Sequence, residues 1–139
     1  MQILDTNVIS ELMRPSPNER LVAWISAQPA GSLFTTAVTE AELRYGMALL
    51  PAGKRREQLF RQFNLMMTED FASRILPFDR SAAKLYASIV AGRRRSGRPI
   101  SQFDGQIAAI ARSRDGGIVT RNDQDFSDCD IPVINPWMH

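Results

Sequence analysis

Short runs of strand-forming residues alternate along this chain with longer stretches whose apolar side chains recur at helical spacing, and few folds accommodate that alternation. The strand-like runs are Ile3-Leu4, Leu33-Phe34-Thr35, Ile75-Leu76, Ile118-Val119-Thr120 and Val133-Ile134, most of them bounded by Gly, Pro or Asp. Between them, Val38, Ala41, Tyr45, Ala48 and Leu49 form one helical stripe, and Leu59, Phe60, Phe63, Met66 and Met67 a second. Ala82, Leu85, Tyr86, Ile89 and Val90 form a third, and Phe103, Ile107, Ile110 and Ala111 a fourth. Strands separated by helices predict a central, mainly parallel sheet covered on both faces, which is a three-layer α/β/α sandwich. No linker, repeat or low-complexity segment divides the 139 residues, so a single domain spanning 1–139 is expected. In such sheets ligands bind beyond the carboxyl ends of the strands, where strand order reverses, so the residues just after each strand matter most.

Composition removes several chemistries. The single cysteine, Cys129, excludes an intramolecular disulfide and any zinc site built from two or more cysteines. The only histidine, His139, stands at the chain end, so a mechanism built on an oriented imidazole is not expected. No apolar run approaches the roughly 20 residues of a membrane span, and Met1-Gln2-Ile3-Leu4-Asp5 places no basic stretch before an apolar one; the expectation is a cytoplasmic protein without membrane contact. The 17 Lys+Arg against 15 Asp+Glu leave a net charge of +2, too small to indicate a nucleic-acid partner by itself. Only Lys54 and Lys84 are lysines, however, and arginine is the side chain better suited to bidentate phosphate contacts.

Several acids fit a purely structural role poorly. Asp5 directly follows the first strand, where it also suits a helix cap. Thr39-Glu40-Ala41-Glu42 and Ser101-Gln102-Phe103-Asp104 both spell capping boxes, yet Glu42 and Asp104 share helix faces with the apolar stripes, and a carboxylate on a buried face needs a partner. After the fourth strand comes the polar cluster Thr120-Arg121-Asn122-Asp123-Gln124-Asp125-Phe126. Brought to one rim of the sheet, these acids repel one another and their pKa values rise unless a cation neutralises them. All-oxygen ligands without His or Cys select Mg2+ or Mn2+, and such a site hydrolyses phosphodiesters. Two other acid-rimmed α/β chemistries fit less well. An aspartyl phosphatase of the haloacid-dehalogenase type needs a second Asp where Asn7 stands, and a phosphoacceptor receiver needs a site lysine that neither Lys54 nor Lys84 supplies.

The segments Ile3-Leu4-Asp5-Thr6-Asn7-Val8-Ile9-Ser10, Thr39-Glu40-Ala41-Glu42-Leu43-Arg44-Tyr45-Gly46, Phe103-Asp104-Gly105-Gln106-Ile107-Ala108-Ala109 and Val119-Thr120-Arg121-Asn122-Asp123-Gln124-Asp125-Phe126 together resemble PIN-domain ribonucleases. Within that family they resemble the VapC-type toxins of type II toxin-antitoxin modules, in particular the FitB-like branch, whose closing Asn135-Pro136-Trp137 is also present. The resemblance runs over essentially the whole chain. It implies a PIN-like fold and a Mg2+-dependent endoribonuclease, with Mn2+ as substitute. It further implies an RNA substrate, a cognate antitoxin, a homodimer, and a larger complex that binds operator DNA through the antitoxin. Carried over by motif, Asp5 and Asp104 are the principal metal ligands and Glu42 the third acid. Asn122 stands where relatives often have Asp, so it positions water while Asp125 or Asp123 supplies charge. Asp125 is favoured if Phe126 anchors the turn in the core. Thr6, Asn7 and Thr120 beside the acids are candidate substrate contacts. So are Arg93, Arg94 and Arg95, which would form a basic wall beside the site; the alternative is a solvated helix end favoured by the helix dipole. Trp24 and Trp137 read as packing residues.

Overall fold

A computed structural model describes residues 1–138; His139 lies outside the described residues. In chain order the elements are β1 (Gln2–Leu4), α1 (Thr6–Leu12), α2 (Glu19–Ser26), β2 (Leu33–Thr36), α3 (Ala37–Ala48), α4 (Lys54–Leu65), β3 (Ile75–Leu76), α5 (Arg80–Arg95), α6 (Gln102–Ser113), β4 (Gly117–Val119) and β5 (Val133–Ile134). A π-helical turn, Met66–Asp70, continues α4, and short 3-10 turns follow β4 (Asp123–Phe126) and β5 (Pro136–Met138). The strands form one five-stranded sheet in the order β3-β2-β1-β4-β5 with every pairing parallel.

Alternation along the central strands builds the three expected layers, because successive side chains of a strand point to opposite faces. Ile3 of β1 and Ile118 of β4 enter a core shared with Ala82 and Ile89 of α5, Ile107 and Ile110 of α6, and Phe126. Leu4 and Val119, the next residues, enter a second core with Val8 and Ile9 of α1, Leu21 of α2, Phe63 of α4 and Met67. α3 touches both, through Val38 in the first and Met47 in the second.

The α3 stripe differs from the sequence expectation. Tyr45 and Leu49 are 68% and 67% exposed, and the buried ridge runs instead through Thr39, Leu43 and Met47, with Val38 and Glu42 on its flank. The helix also starts earlier than the Thr39 capping box implies: Thr36 is the cap and accepts from Thr39 N at 3.0 Å. In α6 the stripe holds from Ile107 onward, while Phe103 is half exposed.

α5 and α6 approach closely at Gly105. A Cβ there would stand 2.8 Å from Val90 Cγ2 and 3.1 Å from Tyr86 Cε2. Gly to Ala inside a helix ordinarily stabilises by about 1 kcal/mol. Here overpacking against the rotamer-restricted Val90 costs about 1–3 kcal/mol and outweighs that gain. Gly105→Ala should therefore lower the melting temperature; a higher one would mean that α5 yields at this contact.

Candidate active site at the reversal of strand order

From β1 the chain steps outward through β2 to β3, then returns to lay β4 on the other side of β1, so the order reverses between β1 and β4. Ligands of open α/β sheets bind at this place because the connections leaving the two strands diverge and open a crevice. Asp5 follows β1 there, and Thr120 follows β4.

The two are bonded directly. Thr120 Oγ1 donates to Asp5 Oδ2 at 2.9 Å, and Asn7 Nδ2 reaches both Asp5 Oδ2 and Thr120 Oγ1 at 3.2 Å. Asp5 Oδ1 accepts from Thr6 N at 2.8 Å, so the residue is also the cap of α1. The cap uses Oδ1 alone, and the two side-chain bonds fall on Oδ2. Asn7 Oδ1 accepts from Arg121 N, and Thr120 Oγ1 accepts from Asn122 N, which ties the turn after β4 to the start of α1. Across the cleft, Thr6 Oγ1 donates to Glu42 Oε1 at 2.9 Å and lies 3.0 Å from Thr39 Oγ1. Asp104 sits in the first turn of α6, where Ser101 Oγ accepts from Asp104 N at 3.2 Å. That is one half of the capping box read from the sequence, and the Ser101 side chain also hydrogen-bonds the Asp104 carboxylate.

The charges show how these groups stand to one another. Asp5, 4% exposed, has its pKa pushed up from 3.8 to about 6, chiefly by burial; hydrogen bonds from Thr6 and Thr120 oppose the rise, and the charges of Asp104 and Glu42 add to it. Burial also raises Glu42 against its bond from Thr6, with Asp104 adding repulsion. Asp104 is raised chiefly by burial, with the charge of Asp125 adding to the rise and the Ser101 hydrogen bond and the charge of Arg93 opposing it. These are the mutual effects of one acidic cluster. Among the described residues no Lys or Arg forms an ion pair with Asp5, Glu42 or Asp104. Nor, among the described residues, do three or more of the acids draw close enough to hold an ion jointly. Mg2+ does not require that, since it keeps several waters and takes one or two carboxylates directly. An oxygen-only set with a buried member, in which only Asp104 feels a cation, the nearby Arg93, fits such an ion.

Residues 3–132 match the sequence profile of the PIN domain. The chain belongs to the PIN-domain family. It is similar to toxin FitB of Neisseria gonorrhoeae, with 43% identity over 137 residues and 99% of each chain covered. It is also similar to a VapC ribonuclease of Sinorhizobium fredii, at 42% identity over 99% of this chain and 98% of the relative. The crystal structure of FitAcB from Neisseria gonorrhoeae superposes with a TM-score of 0.92 at 42% identity, covering 100% of both chains.

In this PIN domain the other candidates divide. Asn122, Asp123 and Asp125 lie exposed on the turn after β4, and Phe126, 1% exposed, anchors it. Of these acids it is Asp125 whose charge acts on Asp104. The polar groups of Thr6, Asn7 and Thr120 are turned toward protein partners, which makes them holders of the acids. Arg94 and Arg95 are exposed, but Arg93 is buried, so it cannot join the basic wall read from the sequence. The sequence reading missed Thr39, whose position three residues before Glu42 puts both on one helix face. It also missed Arg121, which lies with its guanidinium 5.6 Å from the Trp137 ring. Asn135 Nδ2 donates to Arg121 O at 3.0 Å, so the Asn135-Pro136-Trp137 segment packs against the site's own turn.

Proposed function

We propose that this PIN domain is a Mg2+-dependent endoribonuclease, with Mn2+ as substitute, and the toxin of a type II toxin-antitoxin pair. The observation that carries the reading is the buried Asp5 carboxylate, uncompensated by any described cation, between Asp104 and Glu42 at the reversal of strand order. Similarity over nearly the whole chain to proteins named as a toxin and as a ribonuclease supports it. Asp5 and Asp104 would hold the ion, with Glu42 as the third acid. When bound, the ion offsets charge on the scissile phosphate and acidifies water. Thr120 and Asn7 fix Asp5 Oδ2, Thr6 fixes Glu42, and Asn122 would orient water beside them. The working species would be a homodimer, and a cognate antitoxin would neutralise it in a larger complex that binds operator DNA through the antitoxin. The test is to incubate purified protein with mixed RNA in Mg2+, in Mn2+ and in EDTA. Cleavage that persists in EDTA, or none in any condition, would sink the reading.

Two finer assignments have their own tests. If Asp125 supports the ion, Asp125→Asn should raise the Mg2+ concentration for half-maximal cleavage by about tenfold or more, whereas Asn122→Ala should lower the maximal rate with little change in metal demand. A shift seen only in Asp123→Asn would reverse the order of the two acids. If Arg94 and Arg95 touch RNA phosphates, changing both to alanine should flatten the log-log salt dependence of binding by about one to one and a half, near 0.7 for each lost contact to a single strand. An unchanged slope would leave them as a solvated helix end.

A further inference from the structure

α5 ends in Arg93-Arg94-Arg95, and its stop is built around Gly97 at φ +76°, with Gly97 N donating to Arg94 O at 3.1 Å and Arg98 N to Arg93 O at 2.9 Å. This is the paired-bond ending that favours glycine. Successive helical residues point about 100° apart, so with Arg94 and Arg95 facing solvent Arg93 turns inward, where it is 6% exposed. Among the described residues its guanidinium forms no ion pair with a carboxylate. Instead Nε donates to Arg98 O at 2.6 Å, and Nη1 donates to Asp125 O and Ser127 O, both at 2.9 Å, with Cys129 Sγ at 3.6 Å. Desolvating a guanidinium is costly unless its donors are satisfied, so this arrangement persists only because those carbonyls are presented to it.

The carbonyls come from two segments that each carry a site acid. Arg98 lies in the connection that leads to Ser101, the cap of α6 and the partner of Asp104 N. Asp125 lies in the turn after β4, and its charge acts on Asp104. Arg98 adds a more exposed tie between the same segments, from its guanidinium to Asp128 Oδ2 and Ser127 Oγ. We propose that Arg93 is a positioning residue of the site, whose buried guanidinium clamps the α5–α6 connection to the turn after β4 and so sets how Asp125 stands to Asp104. The catalytic consequence rests on the nuclease reading above; the clamp itself does not. A lysine at this position keeps the charge but has no planar fork to span carbonyls from two segments.

Arg93→Lys is therefore the variant to make, with Arg98→Ala beside it in case Arg93→Lys does not fold. In metal-free protein, amide exchange in 98–101 and 122–129 should quicken by about tenfold or more while β1 and β4 keep their protection. Mn2+ affinity by calorimetry should fall by about tenfold, and the Mg2+ needed for half-maximal cleavage should rise in proportion, with KM for RNA unchanged. Arg98→Ala should move the same readouts in the same direction by less. Unchanged exchange in the two segments would overturn the clamp. Quickened exchange with unaltered Mn2+ affinity and cleavage, measured where the variant is folded, would reduce Arg93 to a stabilising residue. Wild-type protein that neither binds Mn2+ nor cuts RNA would remove the nuclease reading and leave the exchange arm to judge the clamp.

Discussion

RNA cleavage should fall by about a hundredfold or more in Asp5→Asn and again in Asp104→Asn, each in a protein that still folds. The size follows from what a carboxylate contributes beside a divalent ion: Lewis-acid stabilisation is worth several kcal/mol, and each 1.4 kcal/mol or so is a factor of ten in rate. Survival of the fold follows from the hydrogen bonds. Asparagine at position 5 keeps an oxygen for Thr6 N, now 2.8 Å from Oδ1, so α1 retains its cap. Asp104 is half-buried, and the cap that Ser101 gives to its backbone N–H does not depend on the side-chain charge. Single-turnover cleavage beside far-ultraviolet circular dichroism checks both halves. The double variant should be little worse than either single one, because groups that hold one ion act as a unit. Full cleavage by either folded variant would take that residue out of the site.

How far the sequence carries can be read from particular residues. β3 and β5 fall where Ile75-Leu76 and Val133-Ile134 place them, and the parallel sheet follows from the alternation of periods alone. The α3 stripe misleads because periodicity reports that a face is apolar, not that anything covers it: Tyr45 and Leu49 stand in solvent. Glu42 nonetheless reaches the site, on the flank of the buried ridge, held by Thr6 from another helix. A partner 36 positions away is invisible to local spacing. The Arg93-Arg94-Arg95 run misleads differently. Three consecutive helical residues cannot share a face, so a run of charge on a packed helix turns one member toward the interior, and only the structure says which. Phe126, by contrast, is legible: one aromatic among seven polar or small neighbours anchors its turn, and with it the place of Asp125.

Asp5 should also leave a signature on stability that requires no RNA. Its pKa is about 6 in the folded protein against 3.8 as a free side chain, so the folded state binds its proton more tightly. The resulting stability is fully present below about pH 3.8 and is lost as the pH rises through about 6; ionising the buried carboxylate costs about 3 kcal/mol at 1.36 kcal/mol per pKa unit. Asn at this position never ionises, but its amide places a donor where the carboxylate accepted from Thr120 and Asn7, which costs about 1–3 kcal/mol. In EDTA above pH 7, Asp5→Asn should therefore match the wild type or exceed it by up to about 2 kcal/mol, with about 2–4 °C in melting temperature for each kcal/mol. Below about pH 3.8 the carboxyl is protonated in both the folded and the unfolded wild type, the penalty disappears, and the variant should become the less stable of the two. Mg2+ acts in the opposite sense at neutral pH: at about a hundred times its Kd it adds about 2.7 kcal/mol to whichever protein binds it, and so should stabilise the wild type more than the variant. Melting curves across pH, with EDTA and with Mg2+, separate the two roles of the residue, because a cap that holds no metal predicts equal Mg2+ shifts in the wild type and the variant.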